Sequence, residues 1–297
     1  MNLVKGTTFA FLTGLGIAEN IFVLVNYIYL IRCIEKKPIH LILIHLGFTN
    51  ILMLFTKGTP RAIASSGLQN LLGDVCCKVV VYLERVAHGL SISTTSLLTV
   101  VQAITISPRA SKWRRLQPRS AWDILPLLVF FWVLINALIS MNLQFYIKNH
   151  NNMNTSEFSK SDNYCYFQPD NWIITWIFLA LIFLRNAVLQ SVMGCASGYM
   201  VFLFHKQHQH VLYLQTSKLL YRTPPEMKAA QSVLLLMLCF VFFYCTDCFN
   251  TLCSFLSLLK NSISVSAHEF LTLGYVILSP FVLIHRDGHL TECCHSQ

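Results

Sequence analysis

The chain has 297 residues, of which 55% are hydrophobic and only 12% are charged. Soluble domains carry about twice that charged fraction, so the composition excludes an ordinary soluble protein. With only 13 acidic residues, the chain is also unlike a disordered protein, a coiled coil or a small disulfide-rich domain. The net charge of +9 does not indicate nucleic-acid binding, because the basic residues flank apolar runs and form no basic patch with stacking aromatics. These features predict a membrane protein.

Seven apolar segments are long enough to cross a bilayer as helices, which takes roughly 20 mainly apolar residues. In chain order the predicted spans are 9–31, 39–59, 79–106, 124–146, 172–204, 229–259 and 270–285. The second helix is expected to break near Gly58-Thr59-Pro60. A spanning β-barrel is not expected, because the runs do not alternate apolar and polar residues. The predicted fold is an all-α bundle of seven transmembrane helices, forming one domain over residues 1–297.

The loops differ in basic charge, and this difference predicts the orientation. Thirteen of the 22 Lys and Arg residues fall on one set of loops and seven on the other. The more basic side is expected to be cytoplasmic, which places the N-terminus outside and the C-terminus inside. A glycosylation sequon, Asn154-Thr155-Ser156, falls in the loop between the fourth and fifth spans, on the predicted outer side. We therefore expect Asn154 to be glycosylated.

Most of the eleven cysteines lie in or beside apolar spans, where small polarizable packing residues are expected. Two differ, because Cys77 precedes the third span and Cys165 lies in the loop that carries the sequon. Both are on the predicted oxidising side, where a disulfide could tie the loop to the third helix. Cys76 is an equally good partner on chemical grounds.

Several segments resemble vomeronasal type-1 receptors, a family of G-protein-coupled receptors. The similar segments are residues 57–60 (KGTP), 85–98 (RVAHGLSISTTSLL), 102–108 (QAITISP), 225–231 (PEMKAAQ) and 279–284 (SPFVLI). The resemblance covers nearly the whole chain. It implies a pheromone-type receptor in the plasma membrane that binds a small molecule and activates a heterotrimeric G protein of the inhibitory type. It also implies that Cys77, and not Cys76, is the cysteine bridged to Cys165.

The sequence departs from the family pattern at three places inside the membrane. Glu84 stands where a histidine is usual, His88 where an arginine is usual, and Cys245 where a tryptophan is usual in the sixth span. The ligand chemistry of the family should therefore not be transferred to this chain.

Ionisable side chains in the middle of a membrane are costly, so each one is a candidate for function. We expect a ligand site made from Glu84, Arg85, His88, Arg185 and Asp247. At about 100° per residue, Glu84 and His88 share the face of the third helix that carries Cys77, whereas Arg85 points toward a neighbouring span. Glu84 would then select a cationic or hydrogen-bond-donating ligand. The alternative is that these side chains only pair with one another and hold helices together.

Two other polar groups have simpler explanations. Glu19 is expected to join helices together with Asn20 and Asn50. The His205-x-x-His208-x-His210 segment begins a loop, where a solvated face is expected instead of a metal site. No metal or other cofactor is predicted.

The basic residues on the predicted inner side have two explanations. They could face the G protein, as the resemblance implies, or they could set the topology and attract anionic membrane lipid. The residues proposed to face the G protein are Arg109, Arg114, Arg115, Lys218, Arg222 and Lys228. An enzyme is not expected, because no hydrolase or metalloprotease motif is present. A small-solute transporter or channel is the alternative function.

Overall fold

The computed structural model describes residues 2–33, 37–65, 74–108, 111–118, 120–143, 147–149, 165–167, 172–214, 234–235, 238–239, 241–242, 245, 274–280 and 282. Five long helices are α1 (Asn2–Cys33), α2 (Pro38–Ser65), α3 (Asp74–Ile106), α4 (Ala121–Leu143) and α5 (Trp172–Leu214). The described residues of the sixth and seventh predicted spans are also helical. A short 3₁₀ helix, Lys112–Leu116, connects α3 to α4, and we call it the loop helix.

The loop between α4 and α5 contains a two-stranded antiparallel hairpin. Its strands are β1 (Ile147–Asn149) and β2 (Cys165–Phe167), paired so that Ile147 lies opposite Phe167. Strand β1 lies against α3. Because α4 separates the loop helix from the hairpin, the two mark opposite ends of the bundle, which we call the loop-helix end and the hairpin end.

The helices extend beyond the apolar runs from which the spans were predicted. Four stretches of the described helices are long and apolar enough to cross a membrane: Ala10–Arg32, Pro38–Gly58, Lys78–Ile106 and Phe183–Lys206. Trp122–Ile135 in α4 is a shorter apolar stretch. Helix α5 continues ten residues past its predicted end at residue 204. The prediction was too short because hydropathy identifies only the part of a helix that crosses the hydrocarbon layer.

The expected break in the second helix is wrong, because α2 continues through Gly58 and Pro60 to Ser65. A proline removes one backbone donor and bends a helix, but the freed carbonyl can be satisfied locally, so the helix need not end there. Gly58 serves packing instead. A Cβ at this position would lie 2.9 Å from Thr13 Cβ of α1 and still closer to both of its γ atoms. Only glycine fits where the two helices cross.

Helix α3 is the centre of the bundle and contacts α2, α4 and α5. Every residue from 91 to 99 is buried, although six of the nine carry hydroxyl groups. Most of these groups bond one turn back within the helix: Thr94 donates to Leu90 O (2.7 Å), and Thr95 donates to Ser91 O (2.8 Å). The bonds satisfy the hydroxyls locally, and the small side chains allow neighbouring helices to approach closely.

Two polar junctions join α1 and α2 to the rest of the bundle, and the first involves the seventh predicted span. Asn20 donates to Val276 O (3.1 Å), while Asn50 donates to Asn20 Oδ1 (3.2 Å) and to Ser279 Oγ (2.9 Å). Asn20 and Asn50 therefore hold helices together as predicted. Glu19 was also predicted to join these helices, but its buried Oε2 has no hydrogen-bond partner among the described residues.

The second junction joins α2, α3 and α4 through His45. Trp132 Nε1 donates to His45 Nε2 at 2.7 Å, and His45 Nδ1 lies 2.8 Å from Thr94 Oγ1. Because an indole nitrogen only donates, Nε2 must accept and the ring proton must be on Nδ1. Thr94 already donates to Leu90 O, so its oxygen accepts from His45. One neutral histidine thus fixes the register of three helices.

Candidate functional site

An ion pair joins α2 to α3 toward the hairpin end of the bundle. Lys57 Nζ lies 3.3 Å from Glu84 Oε1, and the two side chains are 18% and 32% exposed. The sequence predicts no partner on the second span for Glu84, so Lys57 was missed as its counter-ion. The available signal was the position of Lys57 in the last turn of an apolar span, because a lysine there can extend its long side chain along the helix toward a charged partner.

Glu84 begins a polar segment of α3 that extends inward from the hairpin end. Arg85 and His88 follow it on the same helix and are half-buried. Gly89 comes next and is buried at the contact with two other helices: a Cβ there would lie 2.9 Å from Arg185 Nη1 and 3.0 Å from Ile135 Cγ2. The absence of a side chain at Gly89 therefore makes room for the guanidinium of Arg185.

Arg185 belongs to α5 and is oriented by the residue that follows it. Its Nε and Nη2 donate to Asn186 Oδ1 at 3.0 and 2.7 Å, and Asn186 itself is buried. Five residues separate Glu84 from Gly89, which corresponds to about 7.5 Å along the helix. Four charged or titratable side chains from α2 and α3 and one from α5 therefore lie along about one and a half turns of α3. We call Lys57, Glu84, Arg85, His88 and Arg185 the charged cluster.

Of the five residues predicted to bind ligand, Glu84, Arg85 and His88 lie on one segment of α3 and Arg185 lies beside Gly89 of the same segment, whereas Asp247 lies outside the described residues. Asn154 also lies outside them. For Cys77 and Cys165 the structure describes the backbone: Cys77 is in the first turn of α3, and Cys165 lies opposite Asn149 of β1. Because β1 lies against α3, the hairpin brings the chain that carries Cys165 to this helix.

At the loop-helix end, Arg114 does not extend into solvent. Its Nη1 donates to Thr105 O (2.6 Å) and Ser107 O (3.1 Å), so the guanidinium caps the carbonyl groups at the end of α3. Ser107 also donates from Oγ to Tyr199 OH of α5 at 3.1 Å. Arg115 is exposed. The remaining residues predicted to face a G protein, namely Arg109, Lys218, Arg222 and Lys228, lie outside the described residues.

Comparison with solved structures confirms the predicted fold class. The chain is similar to squid rhodopsin, with a TM-score of 0.76 and 13% identity, over 98% of this chain and 83% of that chain. At such low identity the similarity concerns the fold alone, which is the seven-helix bundle of rhodopsin.

Comparison of sequences identifies the family. The model of the vomeronasal organ pheromone receptor family matches residues 4–296. The chain is 30% identical to human vomeronasal type-1 receptor 4 over 95% of this chain and 94% of that protein. It is 31% identical to human vomeronasal type-1 receptor 1, over 98% and 82%. Zebrafish olfactory receptor class A-like protein 1 is 28% identical over 97% and 90%.

These relatives are receptors, and their similarity extends over nearly all of the chain. The resemblance first seen in the short segments is therefore confirmed, and with it a chemosensory receptor that crosses the plasma membrane several times. The chain belongs to the vomeronasal type-1 family of pheromone receptors.

Proposed function

We propose that the receptor binds a small molecule at the charged cluster and, in response, activates a heterotrimeric G protein of the inhibitory type. The observation that carries the ligand site is the Lys57–Glu84 ion pair, which joins two membrane-spanning helices next to the half-buried Arg85 and His88. Charged groups at membrane depth are expensive and are retained where they pair or bind. Here they come from α2, α3 and α5 and lie along one segment of α3, so a ligand that extends along this segment would contact several helices.

The ion pair leaves room for a ligand to contact Glu84. Lys57 approaches one carboxylate oxygen, whereas a carboxylate can accept several hydrogen bonds. A cationic or hydrogen-bond-donating ligand would therefore bind Glu84 without first removing Lys57. Arg185 lies deeper, over Gly89, where it would meet the other end of the ligand.

Activation requires that the ligand bind one arrangement of the helices more tightly than the other. The charged cluster joins α2, α3 and α5, so a ligand that favours one spacing of these helices shifts the whole bundle. We place G-protein docking at the loop-helix end, with Arg109, Lys218, Arg222 and Lys228 as contacts. The inhibitory type rests on family resemblance.

This function requires the hairpin end to face outward. The excess of basic residues at the other end supports that orientation. Enzymatic removal of glycans should increase the gel mobility of receptor made in mammalian cells, and Asn154→Gln should abolish the change. An unchanged mobility of the unmodified receptor would contradict an outer Asn154.

The proposed bridge between Cys77 and Cys165 would close the outer loop over the charged cluster. The backbone supports it, because β1 lies against α3 and β2 carries Cys165. Mass mapping of the non-reduced protein should recover one peptide pair linked through these cysteines. Recovery of both as alkylated thiols, or of Cys76 in the bridge, would overturn the assignment.

Ligand-stimulated nucleotide exchange tests the function directly. Purified receptor in lipid nanodiscs is combined with inhibitory or stimulatory heterotrimer, and a panel of volatile and steroid-like compounds is screened for accelerated GTP-analogue uptake. We expect at least one compound to act with the inhibitory heterotrimer only. Solute flux through receptor-containing vesicles without any exchange would instead favour a transporter or channel.

A further inference from the structure

The loop helix has three distinct sides because a 3₁₀ helix has three residues per turn, so residues three positions apart lie on the same side. One side faces the bundle through Arg114, which caps the end of α3. The N-cap is also fixed, since Ser111 Oγ accepts a hydrogen bond from Trp113 N at 3.3 Å. The orientation of the other two sides is therefore set by the inward side.

The two outward sides differ in chemistry. One carries Trp113 and Leu116, which are 58% and 64% exposed. The other carries Lys112 and Arg115, and both are exposed. An apolar edge and a basic edge thus run next to each other on a segment whose third side is held by α3. This is the arrangement of a surface that lies in a membrane interface, with rings and aliphatic groups toward the acyl chains and cations toward phosphate.

The loop helix also lies at the end of the membrane-spanning part of α3, where a contact with lipid headgroups is expected. Arg114 contacts carbonyl groups in the last turn of α3, where the stretch able to span a membrane ends at Ile106. Five residues after the loop helix, α4 begins at Ala121, and Trp122 in its first turn is 74% exposed. Tryptophan concentrates at this boundary because its ring is apolar and its N–H is polar.

The exposed apolar edge is followed along the chain by an exposed apolar face of α4. That face has helical spacing and consists of Trp122, Leu125, Val129 and Val133, all of which are exposed in the bundle. In a spanning helix such a face contacts lipid. Membrane lipid can therefore contact the apolar edge through its acyl chains and the basic edge through its phosphates. A soluble protein partner would instead have to cover Trp113 at the place where the membrane surface already lies.

We propose that the loop helix binds anionic phospholipid of the cytoplasmic leaflet, with Trp113 and Leu116 among the headgroups and Lys112 and Arg115 paired to their phosphates. This assigns Arg115 to lipid instead of to the G protein. The choice of leaflet rests on the orientation given under the proposed function. Each basic side chain near an anionic surface is expected to strengthen lipid binding by about fivefold.

Tryptophan quenching tests the proposal with the full-length receptor. Nanodiscs are made from phosphatidylcholine brominated near the headgroup, with or without phosphatidylserine, and the contribution of Trp113 is the difference between wild type and Trp113→Phe. We expect this contribution to be quenched, and more strongly with phosphatidylserine. The variant Lys112→Gln/Arg115→Gln should lose the dependence on phosphatidylserine. The matched control Arg32→Gln/Lys206→Gln, which removes two other exposed basic residues, should keep it.

Two results would overturn the proposal. One is that the Trp113 fluorescence is not quenched in either lipid mixture. This includes the case in which the Trp113 fluorescence changes only when a heterotrimer is added, which would indicate that Trp113 contacts the G protein. The other is an equal loss of the phosphatidylserine dependence in the charge variant and its control. The comparison uses no odorant and no nucleotide, so it stands apart from the exchange assay. Failure of exchange with quenching intact would reject the proposed function and leave the lipid contact in place.

Discussion

The Lys57–Glu84 ion pair can be tested with a double-mutant cycle. The two single variants are Glu84→Gln and Lys57→Met, which remove one charge each with little change in size, and the third variant combines them. Lys78→Met serves as the control because Lys78 is an exposed lysine of α3 near the same end of the bundle. The cycle separates the energy of the pair from the effect of each side chain alone.

The geometry sets the expected size of the effect. At 3.3 Å the attraction is about 5 kcal/mol for the effective dielectric constant of a partly exposed site. Removal of both side chains from bulk water offsets much of it. Each single variant removes the ion-pair partner of the remaining charge, and the residual exposure of 18% and 32% allows water to relieve part of the cost. We expect a loss of about 1–3 kcal/mol for either single variant and less than about 1 kcal/mol for the double variant.

Stability and ligand response must be measured separately. Thermal inactivation of solubilised receptor reports stability, and a dose–response curve normalised to surface receptor reports potency. If Glu84 binds ligand, Glu84→Gln should lower potency by about tenfold to a hundredfold, which corresponds to about 1.4–3 kcal/mol for a charge-assisted hydrogen bond. The double variant should recover stability without recovering potency.

Each part of this reasoning has its own refutation. An unshifted dose–response midpoint for Glu84→Gln would reject the ligand role while leaving the ion pair intact. Additive stability losses in the double variant would reject the ion pair itself. A loss of stability in Lys78→Met as large as in Lys57→Met would show that any lysine near this end has the same effect.

Two further substitutions test the packing of helices. Gly58→Ala should destabilise the receptor by about 1–3 kcal/mol, because the new methyl group overlaps α1. Gly194→Ala is the control, because its new methyl group meets no atom within 4 Å and should leave the thermal midpoint in detergent unchanged. Equal midpoints for the two variants would contradict the close contact between Gly58 and Thr13. Trp132→Phe should cost about 1 kcal/mol, because His45 Nε2 loses its donor. Trp122→Phe changes an exposed ring, and a thermal loss as large as that of Trp132→Phe would argue against the bond.

The positions of the long helices could be predicted from the sequence, because the length and the apolar composition of a segment are local properties. The partners of buried polar groups were harder to predict. Asn20 and Asn50 were paired correctly, since both are amides in the middle of apolar spans. Glu84 was placed on the correct helix, but its partner Lys57 depends on the register between α2 and α3. That register is set by contacts such as His45 with Thr94, which no periodicity reports.

Arg114 illustrates a second limit of sequence reasoning. In a loop with several basic residues, its charge indicated the same exposed role as that of Arg115. The difference arises from the loop helix, whose three-residue turn directs one arginine to the carbonyl groups of α3 and leaves the next in solvent. Only the path of the backbone distinguishes the two.

These contacts connect the two ends of α3. Most of its buried hydroxyl groups bond within the helix. The charged cluster acts on one end, and Arg114 ties the loop helix to the other. If α3 moves when ligand binds, the loop helix must move with it, against the lipid that we propose it binds. We therefore expect basal nucleotide exchange to depend on phosphatidylserine, and to lose that dependence in Lys112→Gln/Arg115→Gln. Exchange that is equal in both lipid mixtures would show that the contact at the membrane is uncoupled from activation.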